Sequence, residues 1–278
     1  MQTQPDMTDP CQYLDAIRVL ALDAGRRVLD VYEQGELDVE VTAKADGSPL
    51  TAADRAAHEV IAAGLKRLTP DIPLLSEEFA AADYATRARW TRFWLVDPLD
   101  GTKEFVSRNG EFTVNIALIE DGRPALGVVY VPVPGLTYYA CRGQGAHKHK
   151  EGATPRTIRV RPKPAGKPMV AASRSHAGDH LAAFLARLGP HDTVSMGSGL
   201  KFCLVAEGTA DVYPRLGPTM EWDTAAAQCV VEEAGGQVLD RDSKPLRYNK
   251  PDLHNPWFVV GGAEARGWLA LLPPEPSA

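Results

Sequence analysis

"WLVDPLDGTKEF", residues 94–105, sets two aspartates three residues apart, behind an apolar run and ahead of a glycine and a hydroxyl. Like charges repel, and a buried carboxylate without compensation is costly. The proline and glycine fix a tight turn that would hold Asp97 and Asp100 in one direction. The run "RFWLVDP" (92–98) predicts a buried strand whose carboxyl end opens onto a site. "IPLLSEE" (72–78) has the same texture and ends in Glu77-Glu78.

Upstream of these strands lie two amphipathic patterns. Leu14, Ile17, Ala21, Ala24, Val28 and Val31 recur at helical spacing, as do Ala53, Ala57, Val60, Ile61, Leu65 and Leu68. Thr51 is placed to cap the second helix, and Pro70 ends it. Downstream, residues 111–146 read as a meander of three or four strands, with Asp121-Gly122 and Gly143-Gln144-Gly145 supplying turns. The first half is therefore expected to be helices on an antiparallel sheet. "RVRPKPAGKP" (159–168) is the best boundary. Beyond it strands and helices alternate, which indicates an α/β layer. The expected organisation is an α+β subdomain over 1–158 and an α/β subdomain over 159–278, with the site between them.

Composition narrows the function. The 278 residues are 44% hydrophobic, enough for a sizeable core, and the net charge of −6 offers no broad basic face for nucleic acid. The polar, acidic N-terminus is not a secretory signal, and no stretch approaches the roughly 18 apolar residues of a membrane helix. Four scattered cysteines, Cys11, Cys141, Cys203 and Cys229, form no CxxC pair. They read as reduced thiols of a cytoplasmic protein.

Five acids stand out by context: Asp54, Glu77, Asp97, Asp100 and Asp223. Asp54 and Asp223 open predicted helices, where a carboxylate also serves as a cap. Glu77-Glu78 taken alone suits a solvated loop. The Asp-Pro-Leu-Asp-Gly-Thr run is harder to assign to structure alone, and hard divalent cations answer the repulsion it implies. Mg²⁺ takes oxygen ligands, uses a few carboxylates plus water and leaves positions for phosphate. Two such ions can activate a water and steady the leaving oxygen of an in-line displacement.

These residues resemble the inositol-monophosphatase superfamily of metal-dependent phosphatases. Three blocks carry the likeness in order: Glu77-Glu78, "WLVDPLDGT" and "WDTAAAQCVVEEAGG". Within that superfamily the chain is most similar to bacterial 3′(2′),5′-bisphosphate nucleotidases. The stretches that point there are "KADGSPLTAAD", "DPLDGTKEFVSRNGEFTVNIALI", "SRSH" and "GSGLKFCLVAEGTADVYPRLGPTMEWD". One departure is Ala227, where many relatives carry glycine; alanine is the better helix former.

The resemblance implies a layered αβαβα sandwich and a set of roles. Of two or three Mg²⁺ ions in all, Glu77, Asp97 and Asp100 would bind metal through side chains and Leu99 through its carbonyl. Asp223 would hold the second ion and touch substrate. Asp54 and Thr102 would orient and deprotonate the attacking water. Glu77 and the loop Leu99, Asp100, Gly101, Thr102 would face the phosphate to be cleaved. Ser198, Lys201 and Arg215 would clamp a retained 5′-phosphate, with His176 near the base or ribose. The implied reaction releases AMP and phosphate from 3′-phosphoadenosine 5′-phosphate (adenosine 3′,5′-bisphosphate), a by-product of sulfate activation. The implied enzyme is a monomer or homodimer in the cytoplasm, with peripheral association at the inner membrane left open. Residue chemistry agrees for the clamp: a planar guanidinium and a point-charge ammonium can share one phosphate. The bland alternative is two solvated surface charges. Rival functions are an inositol or sugar-bisphosphate phosphatase of the same superfamily, or a silent nucleotide or polyphosphate binder.

Weaker patterns are expected to be structural. "AHKHKEG" (146–152) reads as a solvated hairpin tip, with His147 and His149 not a metal site. His58, His180 and His254 have no partner visible in the sequence. Trp94 and Trp222 suit core packing.

Overall fold

The computed structural model describes residues 9–33, 42–43, 49–50, 52–79, 82–162, 164, 166–173 and 178–274. Thr51 and His176 lie outside them. The first amphipathic stripe folds as a 3-10 helix, Pro10–Tyr13, running into α1 (Leu14–Glu33). The second is α2 (Ala52–Leu68), which buries Ala53, Asp54, Ala57, Ile61 and Leu65 along one face. A two-stranded ribbon, β1 (Thr42–Ala43) with β2 (Pro49–Leu50), lies between them in the chain.

A seven-stranded sheet follows: β3 (Leu74–Ser76), β4 (Arg92–Asp100), β5 (Thr113–Glu120), β6 (Arg123–Val131), β7 (Leu136–Cys141), β8 (Ala146–Lys150) and β9 (Arg156–Ile158), in that spatial order. β3 runs parallel to β4 and every other pair is antiparallel. Short helices α3 (Tyr84–Arg87) and α4 (Thr102–Val106) flank β4. Strands β4 to β6 are buried almost throughout, because both faces of the sheet are covered.

The second sheet contains β10 (Met169–Ser173), β11 (Asp192–Met196), β12 (Val212–Arg215), β13 (Gln237–Asp240) and β14 (Phe258–Gly261), ordered β11-β10-β12-β14-β13. Its helices are α5 (Asp179–Leu188), α6 (Leu200–Ala206), α7 (Glu221–Glu233) and α8 (Ala265–Leu269).

Three apolar cores define five layers. Ile17, Ala24, Ala57 and Ile61 of α1 and α2 pack on Trp94, Ile116 and Val128 of the first sheet. On the other face, Phe93, Ala117 and Val129 meet α6 and α7, which in turn meet Tyr213, Phe258 and Val260 of the second sheet. Val170, Val212 and Val259 close the outer side with Phe184 and Trp268. The result is the expected αβαβα order. Helix α7, buried from Thr224 to Val231, has no solvent stripe because sheets lie on both its sides. Gly127 on β6 lets it approach: a Cβ there would sit 2.3 Å from the Ala226 carbonyl oxygen.

Two expectations are corrected. Cys11 and Cys141 are not free thiols; they form a disulfide with Cα atoms 5.6 Å apart, while Cys203 and Cys229 stay reduced and buried. The fold brings the N-terminal 3-10 helix to the end of β7, a proximity invisible at a sequence separation of 130. Residues 146–150 are not a hairpin tip but a strand paired on both sides. There His147 stacks on Tyr139 at 5.2 Å, and His149 Nε2 lies 3.0 Å from the Ala153 carbonyl oxygen.

Candidate active site

In a regular strand, residues three apart face opposite sides of the sheet. Asp97 and Asp100 escape that rule through an irregularity in β4. Asp97 stands opposite Asn115 and Asp100 opposite Thr113, so three steps on β4 match two on β5. One extra residue is thereby accommodated. Pro98 lacks the amide a ladder would need, and the Leu99 amide donates instead to Asp97 Oδ1 at 3.1 Å. The next residue, Gly101, turns at φ 94° into α4, which Thr102 opens.

Both aspartates line a cavity of about 450 Å³ between the sheets. Its acidic wall also contains Glu77, just beyond the end of β3, and Asp223, in the first turn of α7. Leu99, Gly101 and Thr102 complete that side. Asp223 serves as cap and wall together: its Oδ2 accepts from the Met220 amide at 3.0 Å. Asp54 is fully buried in the first turn of α2 and is not itself a wall residue, but its charge reaches Asp97.

Burial pushes the Asp97 carboxyl well above the usual carboxylate range, and the charges of Glu77, Asp100, Asp223 and Asp54 push it further. Burial raises Asp223 too, with Asp100 and Glu77 adding to it and the Met220 amide opposing. Four of the five carboxylates lining the cavity, Glu77, Asp97, Asp100 and Asp223 (the fifth is Glu104), form a donor set of hard oxygens, and a divalent cation would relieve the repulsion among them. The residues present therefore fit Mg²⁺.

The same cavity also holds a basic pair. Lys201, at the start of α6, is buried; its Nζ donates to the carbonyl oxygens of Ser198 (2.6 Å) and Met196 (3.2 Å) and lies 5.4 Å over the Tyr213 ring. Burial lowers its pKa to about 8 against the pull of Asp100. Arg215, at the end of β12, donates to the Pro218 carbonyl oxygen at 2.6 Å. Both line the cavity. Ser198 does as well, at φ 51°, but its hydroxyl is engaged by Asp100 Oδ2 and by Thr113 Oγ1 at 2.8 Å.

The cavity thus collects every described residue that the resemblance assigned to the site except Asp54, which does not line it but whose charge reaches Asp97. Sequence reasoning missed others. His254 is on the wall, with Nδ1 2.7 Å from Asp252 Oδ1, brought there by a backbone bridge to Met220. Trp222, expected in the core, packs partly against it and also lines the cavity. Tyr213 and Phe202 floor the basic side. None of these carries a motif; only the Trp-Asp pairing hinted at Trp222.

The chain belongs to the inositol monophosphatase family, whose model matches residues 10–266. A protein of Escherichia coli strain K12, named 3′(2′),5′-bisphosphate nucleotidase CysQ, is 53% identical over 248 residues, covering 89% of this chain and 98% of the relative. The protein of that name from Buchnera aphidicola is 42% identical over 236 residues, covering 85% and 87%. Among solved structures, CysQ from Bacteroides thetaiotaomicron superposes with a TM-score of 0.80 at 45% identity, covering 92% of this chain and 99% of that one. An inositol monophosphatase from Anabaena gives 0.74 at 25% identity, covering 96% and 98%.

Proposed function

We propose that this chain is a Mg²⁺-dependent 3′(2′),5′-bisphosphate nucleotidase that releases AMP and phosphate from 3′-phosphoadenosine 5′-phosphate. The observation that carries this reading is that one cavity is lined both by Glu77, Asp97, Asp100 and Asp223 and by Lys201 and Arg215. The names of the relatives at 53% and 42% identity support it.

Two or three Mg²⁺ ions held by Glu77, Asp97, Asp100, Asp223 and the Leu99 carbonyl would supply an activated water and charge neutralisation at the transferring phosphoryl group. Lys201 and Arg215 hold the phosphate that is not cleaved, fixing the nucleotide so that its other phosphate meets the acids. Two anchors on one substrate convert binding into orientation. Thr102 and Asp54 would form the proton path: the hydroxyl orients the water, and the buried Asp54 carboxylate accepts the proton. We assign this activity to the cytoplasm, where it would remove a by-product of sulfate activation.

The test is kcat/KM with Mg²⁺ across adenosine 3′,5′-bisphosphate, adenosine 2′,5′-bisphosphate, inositol 1-phosphate and fructose 1,6-bisphosphate, repeated with EDTA. The nucleotides are expected to lead, and chelation to abolish turnover. A preference for inositol 1-phosphate would move the substrate elsewhere within the family. Activity surviving EDTA would remove the metal from the reaction.

A further inference from the structure

Glu77 and Asp54 belong to different elements of the first half. Glu77 follows a three-residue edge strand, paired with β4 alone, and its amide makes a 3.2 Å bond to the Val96 carbonyl oxygen before the chain turns away. An edge strand has no second neighbour to hold its end. Asp54 sits in the first turn of a separate helix.

One turn along α2 from Asp54, on the same side of the helix, is His58. Its Nδ1 lies 2.9 Å from Oγ of Ser76, the last residue of β3 and the immediate neighbour of Glu77. The Ser76 side chain is buried, so its hydroxyl needs a partner inside the protein, and the imidazole is one. The ring is itself held on its other side, stacked nearly parallel (12°) on Phe79 at 6.0 Å. Burial depresses its pKa, more than Glu78 and Glu59 raise it, so the neutral ring is favoured. A neutral imidazole can exchange one hydrogen bond with a hydroxyl without bringing charge beside the acids.

We propose that His58 is a positioning residue: it bridges helix α2 to the end of β3 through Ser76, fixing the Asp54 carboxylate relative to Glu77 and thereby tuning cation affinity. This rests on the metal-dependent reading above. A side chain one step behind a ligand commonly controls ligand orientation in this way.

The experiment compares His58→Ala, His58→Asn, Ser76→Ala and the His58→Ala/Ser76→Ala pair with the wild-type protein. It uses calorimetric Mg²⁺ binding without substrate, kcat and KM for adenosine 3′,5′-bisphosphate, and Tm in EDTA. Each alanine variant should weaken Mg²⁺ roughly tenfold and lower kcat similarly, with KM nearly unchanged. The double variant should be no worse than either single one, since both remove the same bond. Asparagine can place a polar atom near Nδ1 and should restore most of the affinity. Unchanged Mg²⁺ affinity in Ser76→Ala, additive losses in the pair, or a fall in Tm that asparagine does not rescue would overturn the proposal. If the nucleotide is not hydrolysed by any form, yet Mg²⁺ binding still follows His58, the substrate reading fails and the role of His58 stands.

Discussion

The hydroxyl of Ser198 donates to Asp100 Oδ2, 98 positions away in the chain, and the Gly199 amide donates to the same oxygen at 2.6 Å. A loop of the second half thus grips an acid of the first, and that loop's carbonyl at Ser198 also receives Lys201. Removing the hydroxyl should loosen Asp100 on the acidic side. Ser198→Ala is therefore expected to weaken Mg²⁺ and lower kcat by about tenfold, as losing a partner to a ligand does. If only KM for the bisphosphate changes, Ser198 serves the retained phosphate alone.

Asp97→Asn should separate activity from stability. An amide is a poor Mg²⁺ ligand, so kcat should fall by orders of magnitude. In EDTA the same variant should melt higher than wild type, because it removes a charge that burial and four other acids disfavour. The pH dependence follows from the raised carboxyl: the folded state keeps its proton to higher pH than the unfolded chain. Chelated wild-type protein should thus lose stability as pH rises above the usual carboxylate range, and Asp97→Asn should lose less. Differential scanning fluorimetry from pH 4 to 8 on both proteins checks this; parallel curves would contradict the repulsion.

Lys201→Ala should raise KM for adenosine 3′,5′-bisphosphate on the order of 10- to 100-fold, the loss of a charge-assisted bond, while sparing simple phosphomonoesters. In wild type the ammonium discharges near its pKa of about 8, so KM should climb as pH passes that value. The climb should vanish in Lys201→Ala. Equal losses on both substrate kinds would remove Lys201 from the clamp.

The Cys11–Cys141 bridge closes a loop of 130 residues. In the chain-entropy account such a link is worth up to about 5 kcal/mol. Cys11→Ser, or reduction by dithiothreitol, should lower Tm by several degrees while leaving kcat within about twofold, since neither cysteine lines the cavity. A wild-type Tm indifferent to reductant would show that the bridge contributes nothing in solution.

The layered fold was legible because its patterns are local. The stripe from Leu14 to Val31 is the face α1 turns to the sheet, and the unbroken apolar run before Asp97 is a strand covered on both faces. The acids were legible for the same reason, as each lies at or near the end of a strand or opens a helix. His254, Tyr213 and the disulfide were not, since their meaning lies in contacts between distant segments that no spacing encodes. The strand over 146–150 was misjudged because lysines and histidines look solvated in isolation, whereas neighbours on both sides of β8 pair its backbone. His58 looked idle until Ser76 arrived from another element.

The extra residue in β4 makes arithmetic, rather than side-chain identity, the strictest demand on this turn. Were the ladder regular over these three steps, one carboxylate would turn to the α1–α2 face and the pair would be split. Exchanging Leu99 for another apolar residue leaves the count intact. A replacement that let this stretch pair evenly with β5 should thus silence the enzyme without touching an acid.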